Sequence, residues 1–166
     1  NAFPETGGTD TIKFGYQNTR FSAVLSHDLE ENDDDSATDL LLTTKLGRAD
    51  LGLVYQDYKE TASADSIQTT GIMASFDLGK TNVGLDYSTN DDADFTNAVV
   101  EFPLMSKTTG AVGATLESPD GGDDIVHWYA NATHAYNDNV SVFAEIGDND
   151  EDGSDFGYLT GMRVQF

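Results

Sequence analysis

The stretch Phe156-Gly157-Tyr158-Leu159-Thr160-Gly161-Met162-Arg163-Val164-Gln165-Phe166 separates into two sets when every second residue is taken. Tyr158, Thr160, Met162, Val164 and Phe166 fall in one set, and Gly157, Leu159, Gly161, Arg163 and Gln165 in the other. Side chains of an extended strand point alternately to opposite faces. The spacing therefore predicts a strand with one apolar face and one polar or small face that takes the Arg163 guanidinium. A helix would repeat its apolar positions about every 3.6 residues instead.

The same period of two continues upstream. Val140, Val142, Ala144 and Ile146 alternate with Ser141 and Glu145, and Val83, Leu85 and Tyr87 alternate with Asn82, Gly84 and Asp86. Turn-forming residues between such runs predict about eleven strands. They cover Thr11 to Gln17, Arg20 to His27, Thr38 to Leu46, Asp50 to Tyr58, Ile67 to Asp77, Thr81 to Ser88, Phe95 to Met105, Thr109 to Leu116, Ile125 to Tyr136, Asn139 to Ile146 and Phe156 to Phe166. Most of these suit a tilted strand crossing a bilayer, which needs about nine to eleven residues, better than the roughly five or six usual in soluble sheets.

The connections are expected to alternate. Tight turns fall around Asn18, Gly47-Arg48, Leu78-Gly79, Ser106-Lys107 and Asn137-Asp138. Long polar loops fall over Asp28 to Ala37, Lys59 to Ser66, Thr89 to Asp94, Glu117 to Asp124 and Gly147 to Asp155. The predicted fold class is thus all-β, an antiparallel up-and-down transmembrane barrel, which carries short turns at one end and long loops at the other. A soluble sandwich or barrel is the competing reading.

Composition narrows the function classes. With 30 acids against 8 bases the formal net charge is -22, which repels nucleic-acid phosphates. The absence of cysteine excludes disulfides and thiolate metal sites. Nine Phe, seven Tyr and one Trp argue against an acidic disordered chain. No run approaches the roughly 20 apolar residues of a membrane helix, whereas barrel strands alternate and average out near neutral.

Strand parity also sorts the charges. It sets Lys13 against Ile12, Phe14 and Tyr16, Arg20 against Phe21, Ala23 and Leu25, and Lys45 against Leu40, Leu42 and Leu46. If the apolar face meets lipid, the polar face lines a lumen. Its candidate pore-lining charges are Lys13, Arg20, Lys45 and Arg163 facing Asp39, Asp86, Glu101 and Glu145. Rings of ionisable side chains set which ions enter a pore, and carboxylate-rich mouths predict a cation preference. The plainer reading is that the lumen carries charge because water fills it. Aromatics near strand ends, namely Phe14, Tyr16, Phe21, Tyr55, Tyr58, Phe76, Tyr87, Phe102, Trp128, Tyr136, Phe156, Tyr158 and Phe166, suit interfacial girdles.

No catalytic constellation stands out. His127 and His134 differ by an odd number and are expected on opposite faces, so they do not share a metal. Asp148-Asn149-Asp150-Glu151-Asp152-Gly153 copies the start of an EF-hand loop, which makes Asp148, Asp150 and Asp152 weak candidates for a loosely bound divalent cation such as calcium. Leu159 stands where that loop needs its bidentate Glu, and no other cofactor is expected.

The ending Gly157 to Phe166 resembles the closing strand of general Gram-negative outer-membrane porins. Val140 to Ile146 with the following acidic loop looks like that family's last hairpin, and Asp10 to Ser26 like the hairpin after its constriction loop. The resemblance implies passive diffusion of small hydrophilic solutes and ions across the outer membrane, with no enzymatic turnover. It gives Tyr158, Met162, Val164 and Phe166 the role of the signal read during barrel assembly.

In that family the last strand ends on the periplasmic side. Counting eleven strands back starts the first one outside, after an extracellular lead-in over Asn1 to Asp10. A complete porin has an even count, about sixteen. The chain is expected to be a single barrel domain or the C-terminal portion of one, roughly strands six to sixteen. The complementary N-terminal strands would come from the same precursor or a separate chain, and three barrels would associate as a homotrimer. A count wrong by one would instead allow a self-sufficient barrel. The remaining alternatives are an acidic secreted or surface all-β binding module and a strand-donating subunit of a larger barrel.

Overall fold

A computed structural model describes residues 11–28, 36–61, 63–151 and 153–165. The expected lead-in Asn1 to Asp10, residues 29–35 of the first long loop, Asp152 and Phe166 lie outside the described residues. The rest forms eleven strands: β1 (Thr11–Gln17), β2 (Phe21–Asp28), β3 (Ser36–Leu46), β4 (Ala49–Lys59), β5 (Ile67–Asp77), β6 (Asn82–Thr89), β7 (Ala93–Met105), β8 (Thr108–Pro119), β9 (Ile125–Asn137), β10 (Val140–Asn149) and β11 (Gly157–Val164). They make one antiparallel sheet in chain order, each strand bonded only to its sequence neighbours. This is the up-and-down meander that the alternation predicts.

Tight turns hold neighbouring strands in register. The Asn18 side-chain oxygen accepts from the backbone amides of Arg20 and Phe21, both at 2.9 Å. Gly47 and Gly79 take the left-handed conformation, at φ 64° and 94°, that L side chains avoid. The connection expected as a long loop over Thr89 to Asp94 is instead a tight turn. Only Asn90, Asp91 and Asp92 separate β6 from β7, and the Asn90 side chain accepts from the amides of Asp92 and Ala93, both at 2.9 Å. Acidic residues there had the composition of a loop, yet backbone pairing is indifferent to side-chain charge, and Asp94 pairs across to Ser118. For the same reason β8 runs on to Pro119 and β10 to Asn149, past the last apolar position of each.

Because directly paired residues share a face, the register assigns every strand residue to one of two surfaces. One row reads Leu42, Leu53, Ile72 and Tyr87, and another reads Val100, Val112, Ala130, Ile146 and Tyr158. The opposite face reads Asp39 with Gln56, and Asp86 with Asn97, Thr115 and His127. Thr160, which interrupts the apolar set of β11, packs across from Ala144.

Among the described residues neither face is covered by a second layer, since strands contact only their sheet neighbours. Among the described residues the buried apolar ones are Ala37, Ala93 and Ala111, whereas Phe14, Tyr136 and Tyr158 are 67%, 70% and 82% exposed. A soluble sandwich would pack its apolar face on a second sheet, so that reading fails. β1 and β11 do not pair with each other, which leaves the sheet open at both edges among the described residues.

Candidate functional site: the polar face of the sheet

Seven of the eight charges assigned to the polar face lie there in the register. Lys13 pairs across to Ser26, Asp39 to Ser26 and Gln56, Lys45 to Asp50, Asp86 to Asn97, Glu101 to Asn82, Glu145 to Asn131, and Arg163 to Ser141. Arg20 lies one residue before β2, and its carbonyl accepts the Lys45 amide at 2.9 Å. That bond carries the β2–β3 register one step past Phe21 and Thr44 and sets Arg20 across from Lys45.

The acids share one arrangement. Asp39 accepts from Ser26 Oγ at 3.1 Å and from Gln56 Nε2 at 2.9 Å. Asp86 accepts from Asn97, which in turn accepts from Thr115. Glu101 accepts from Asn82 and Glu145 from Asn131, both at 3.2 Å. In each case the partner opposite is neutral. Such a donor orients the carboxylate without cancelling its charge.

The bases do not meet these acids. Among the described residues the ion pairs are Lys45 with Asp50 at 3.3 Å and His127 with Glu117 at 3.1 Å. The chain's bases are also unevenly placed: Arg20, Lys45, Arg48, Lys80 and Lys107 sit at or beside the short turns. The acids crowd the opposite end, where Glu60, Asp65, Asp120, Asp123, Asp124 and Asp150 occupy the loops.

The histidines separate as their spacing predicts. His127 shares the polar face with Thr115, and His134 lies on the apolar face, hydrogen-bonded to Thr108 at 2.9 Å. Asp148 accepts from the Asn149 amide at 2.9 Å and Ser154 Oγ at 2.7 Å, and Asp150 accepts from the Val126 amide at 2.7 Å. These oxygens serve the protein's own donors, and no group of three or more His, Asp or Glu side chains gathers as a cation site among the described residues.

On the apolar face aromatic rings gather near both ends of the strands. Tyr16 and Phe21 meet at 6.5 Å beside the first turn, and Trp128 and Phe156 meet at 6.3 Å at the loop end. Tyr58 does not belong with them, since its pairing with Ala37 and Ile67 places it on the polar face. Four large apolar side chains on that polar face also escaped the sequence reading. Met73, Val99, Tyr129 and Phe143 each pair directly with a glycine, respectively Gly52, Gly84, Gly113 and Gly161. Glycine-rich strands show the pattern only once the register is known.

An open antiparallel meander with one lipid-compatible face and one hydrated face is the wall of a transmembrane β-barrel. The family described as Gram-negative porin matches residues 4–154, and the chain belongs to that family. It is accordingly an outer-membrane protein, of a family of channels rather than enzymes. Porin-like protein H of Photobacterium profundum is 28% identical over 99% of the chain and 60% of its own length. A refined porin structure superposes with a TM-score of 0.79 at 19% identity, covering 93% of the chain and 60% of that protein. The anion-selective porin from Comamonas acidovorans gives a TM-score of 0.70 at 12% identity, covering 95% of the chain and 58% of that protein. The two structures share its fold. The chain spans about three fifths of the length of these proteins.

Proposed function

We propose that the chain forms part of the wall of a water-filled barrel through which small hydrophilic solutes and ions diffuse passively. The observation that carries this reading is the division of faces, apolar against polar, kept in register from β1 to β11. The apolar face meets lipid and the polar face lines the lumen, with Lys13, Lys45, Arg163, Asp39, Asp86, Glu101 and Glu145 along it. Arg20 stands at the periplasmic mouth.

Closure needs further strands. β1 and β11 both run from the loop end to the turn end, so direct pairing between them would be parallel and would break the antiparallel order. An odd number of additional strands restores it, and about five would complete a sixteen-stranded barrel. They would come from the same precursor or a separate chain. Left open in hydrocarbon, each unpaired edge group would cost several kcal/mol. Three such barrels associate in the membrane, and Tyr158, Met162, Val164 and Phe166 mark the chain for assembly.

The lumen prefers cations, because Asp39, Asp86, Glu101 and Glu145 are partnered by neutral donors whereas Lys45 is paired with Asp50. The fold does not fix the sign of the selectivity, since an anion-selective porin shares it. Charge placement has to decide. Reversal potentials of the intact barrel in a potassium chloride gradient are expected to show cation preference, weakened by Glu145→Gln. Anion preference would refute the selectivity, and the absence of any conductance from correctly inserted protein would refute the pore. Divalent cations associate loosely with the acidic loops as a group, detectable as a calcium-dependent change in conductance.

A further inference from the structure

The large apolar side chains of the polar face do not stand upright. A Cβ built on Gly113 would lie 2.4 Å from Tyr129 Cε1 and 2.7 Å from its hydroxyl, and one on Gly161 would lie 2.4 Å from Phe143 Cζ. Real side chains never approach so closely, so each ring lies across the bare backbone of the glycine opposite. Both rings are half-buried there.

Their directions differ. Tyr129 on β9 turns outward to Gly113 on β8, and Phe143 on β10 turns outward to Gly161 on β11. Between them runs the β9–β10 seam, where Glu145 accepts from Asn131 at 3.2 Å. The rings thus fold away from this carboxylate on both sides.

Side chains of a strand ordinarily stand roughly perpendicular to the sheet. An upright Tyr129 or Phe143 would reach into the space in front of Glu145. We propose that Gly113 and Gly161 set the free bore of the pore beside Glu145, by giving the rings of Tyr129 and Phe143 recesses in which to lie flat. The proposal rests on the polar face lining the lumen. It identifies two glycines and two aromatics as determinants of pore width, where the sequence pointed only to charges.

Phe143 gives the cleaner test, because its other neighbour, Thr133, offers no recess. Tyr129 displaced from Gly113 could lie over Gly147 instead, which also crowds Glu145. In planar bilayers, single channels of the intact barrel carrying Gly161→Ala are expected to lose roughly a fifth or more of their conductance, as the ring rises into the bore. The double variant Gly161→Ala/Phe143→Ala is expected to return to the wild-type value. Phe143→Ala alone is expected to change little, since its ring already lies out of the path. Wild-type conductance in Gly161→Ala would overturn the proposal, and so would a clear rise in Phe143→Ala. Should Gly161→Ala not insert, Phe143→Ala and Tyr129→Ala decide by themselves, unchanged conductance supporting the proposal and increased conductance overturning it. A wild-type barrel that inserts without conducting would sink the pore reading itself, which separates the two failures.

Discussion

Ile72 and Ser75 lie on the same strand, β5, yet face opposite solvents. Ile72 pairs with Leu53 and Tyr87 and is 57% exposed, whereas Ser75 pairs with Asp50 and Gly84. In a water-soluble protein an isoleucine that open, beside others like it, would mark an interface. Here the same exposure continues across the whole apolar face, as with Phe14, Met162 and Val112 at 67%, 64% and 46%. Exposed area thus carries no fixed penalty. What surrounds the area decides, and hydrocarbon makes the apolar face stable where water would not.

The largest effect is expected where a charge is placed on either face of β5. Ile72→Arg is expected to cost about 2–4 kcal/mol, and Ser75→Arg at most about 1 kcal/mol, in denaturant unfolding of the barrel from phospholipid vesicles. Equal costs would mean that the faces are not divided between lipid and water. The native chain has no cysteine, so cysteines placed singly at these positions add a second readout. A charged thiol reagent is expected to label the one at Ser75 and spare the one at Ile72.

A smaller effect is expected within the polar face. Asp39→Ala leaves the donors of Ser26 and the buried Gln56 without their shared acceptor, which should cost about 1–3 kcal/mol by the same unfolding measurement. Asp39→Asn keeps an acceptor oxygen and should recover part of the loss. Next comes the turn that holds the faces in register. Gly47→Val forces a branched side chain to φ 64° and should cost about 1–2 kcal/mol, while the labelling pattern of β3 and β4 stays unchanged. A switched pattern would mean that this turn sets the register alone. Smallest is Lys45→Ala, which removes an ion pair whose side chains are 60% and 50% exposed. It should cost no more than about 1 kcal/mol and less as salt rises.

The strand faces were legible in the sequence because a period of two is a local property. Lys13, Asp86, Glu145 and Arg163 fell on the polar face by counting alone, and so did the split between His127 and His134. Counting failed where composition misleads. The Asn90 turn hides in an acidic stretch that reads as loop. The neutral partners of the acids were not legible either, since Asn97 faces Asp86 only through a register that both strands settle together.

The fold class and the two faces follow from alternation along single strands, which side-chain direction converts into faces without any knowledge of neighbours. The family entered separately, through the resemblance of the closing strand Gly157 to Phe166. Which residues lie across from one another is settled at the level of the assembled sheet. It placed amides rather than bases against Asp39, Asp86, Glu101 and Glu145, and glycines beneath Tyr129 and Phe143. Pairing joins residues through the backbone ladders of separate strands, so it exists only once turns and hydrogen bonds have fixed the register.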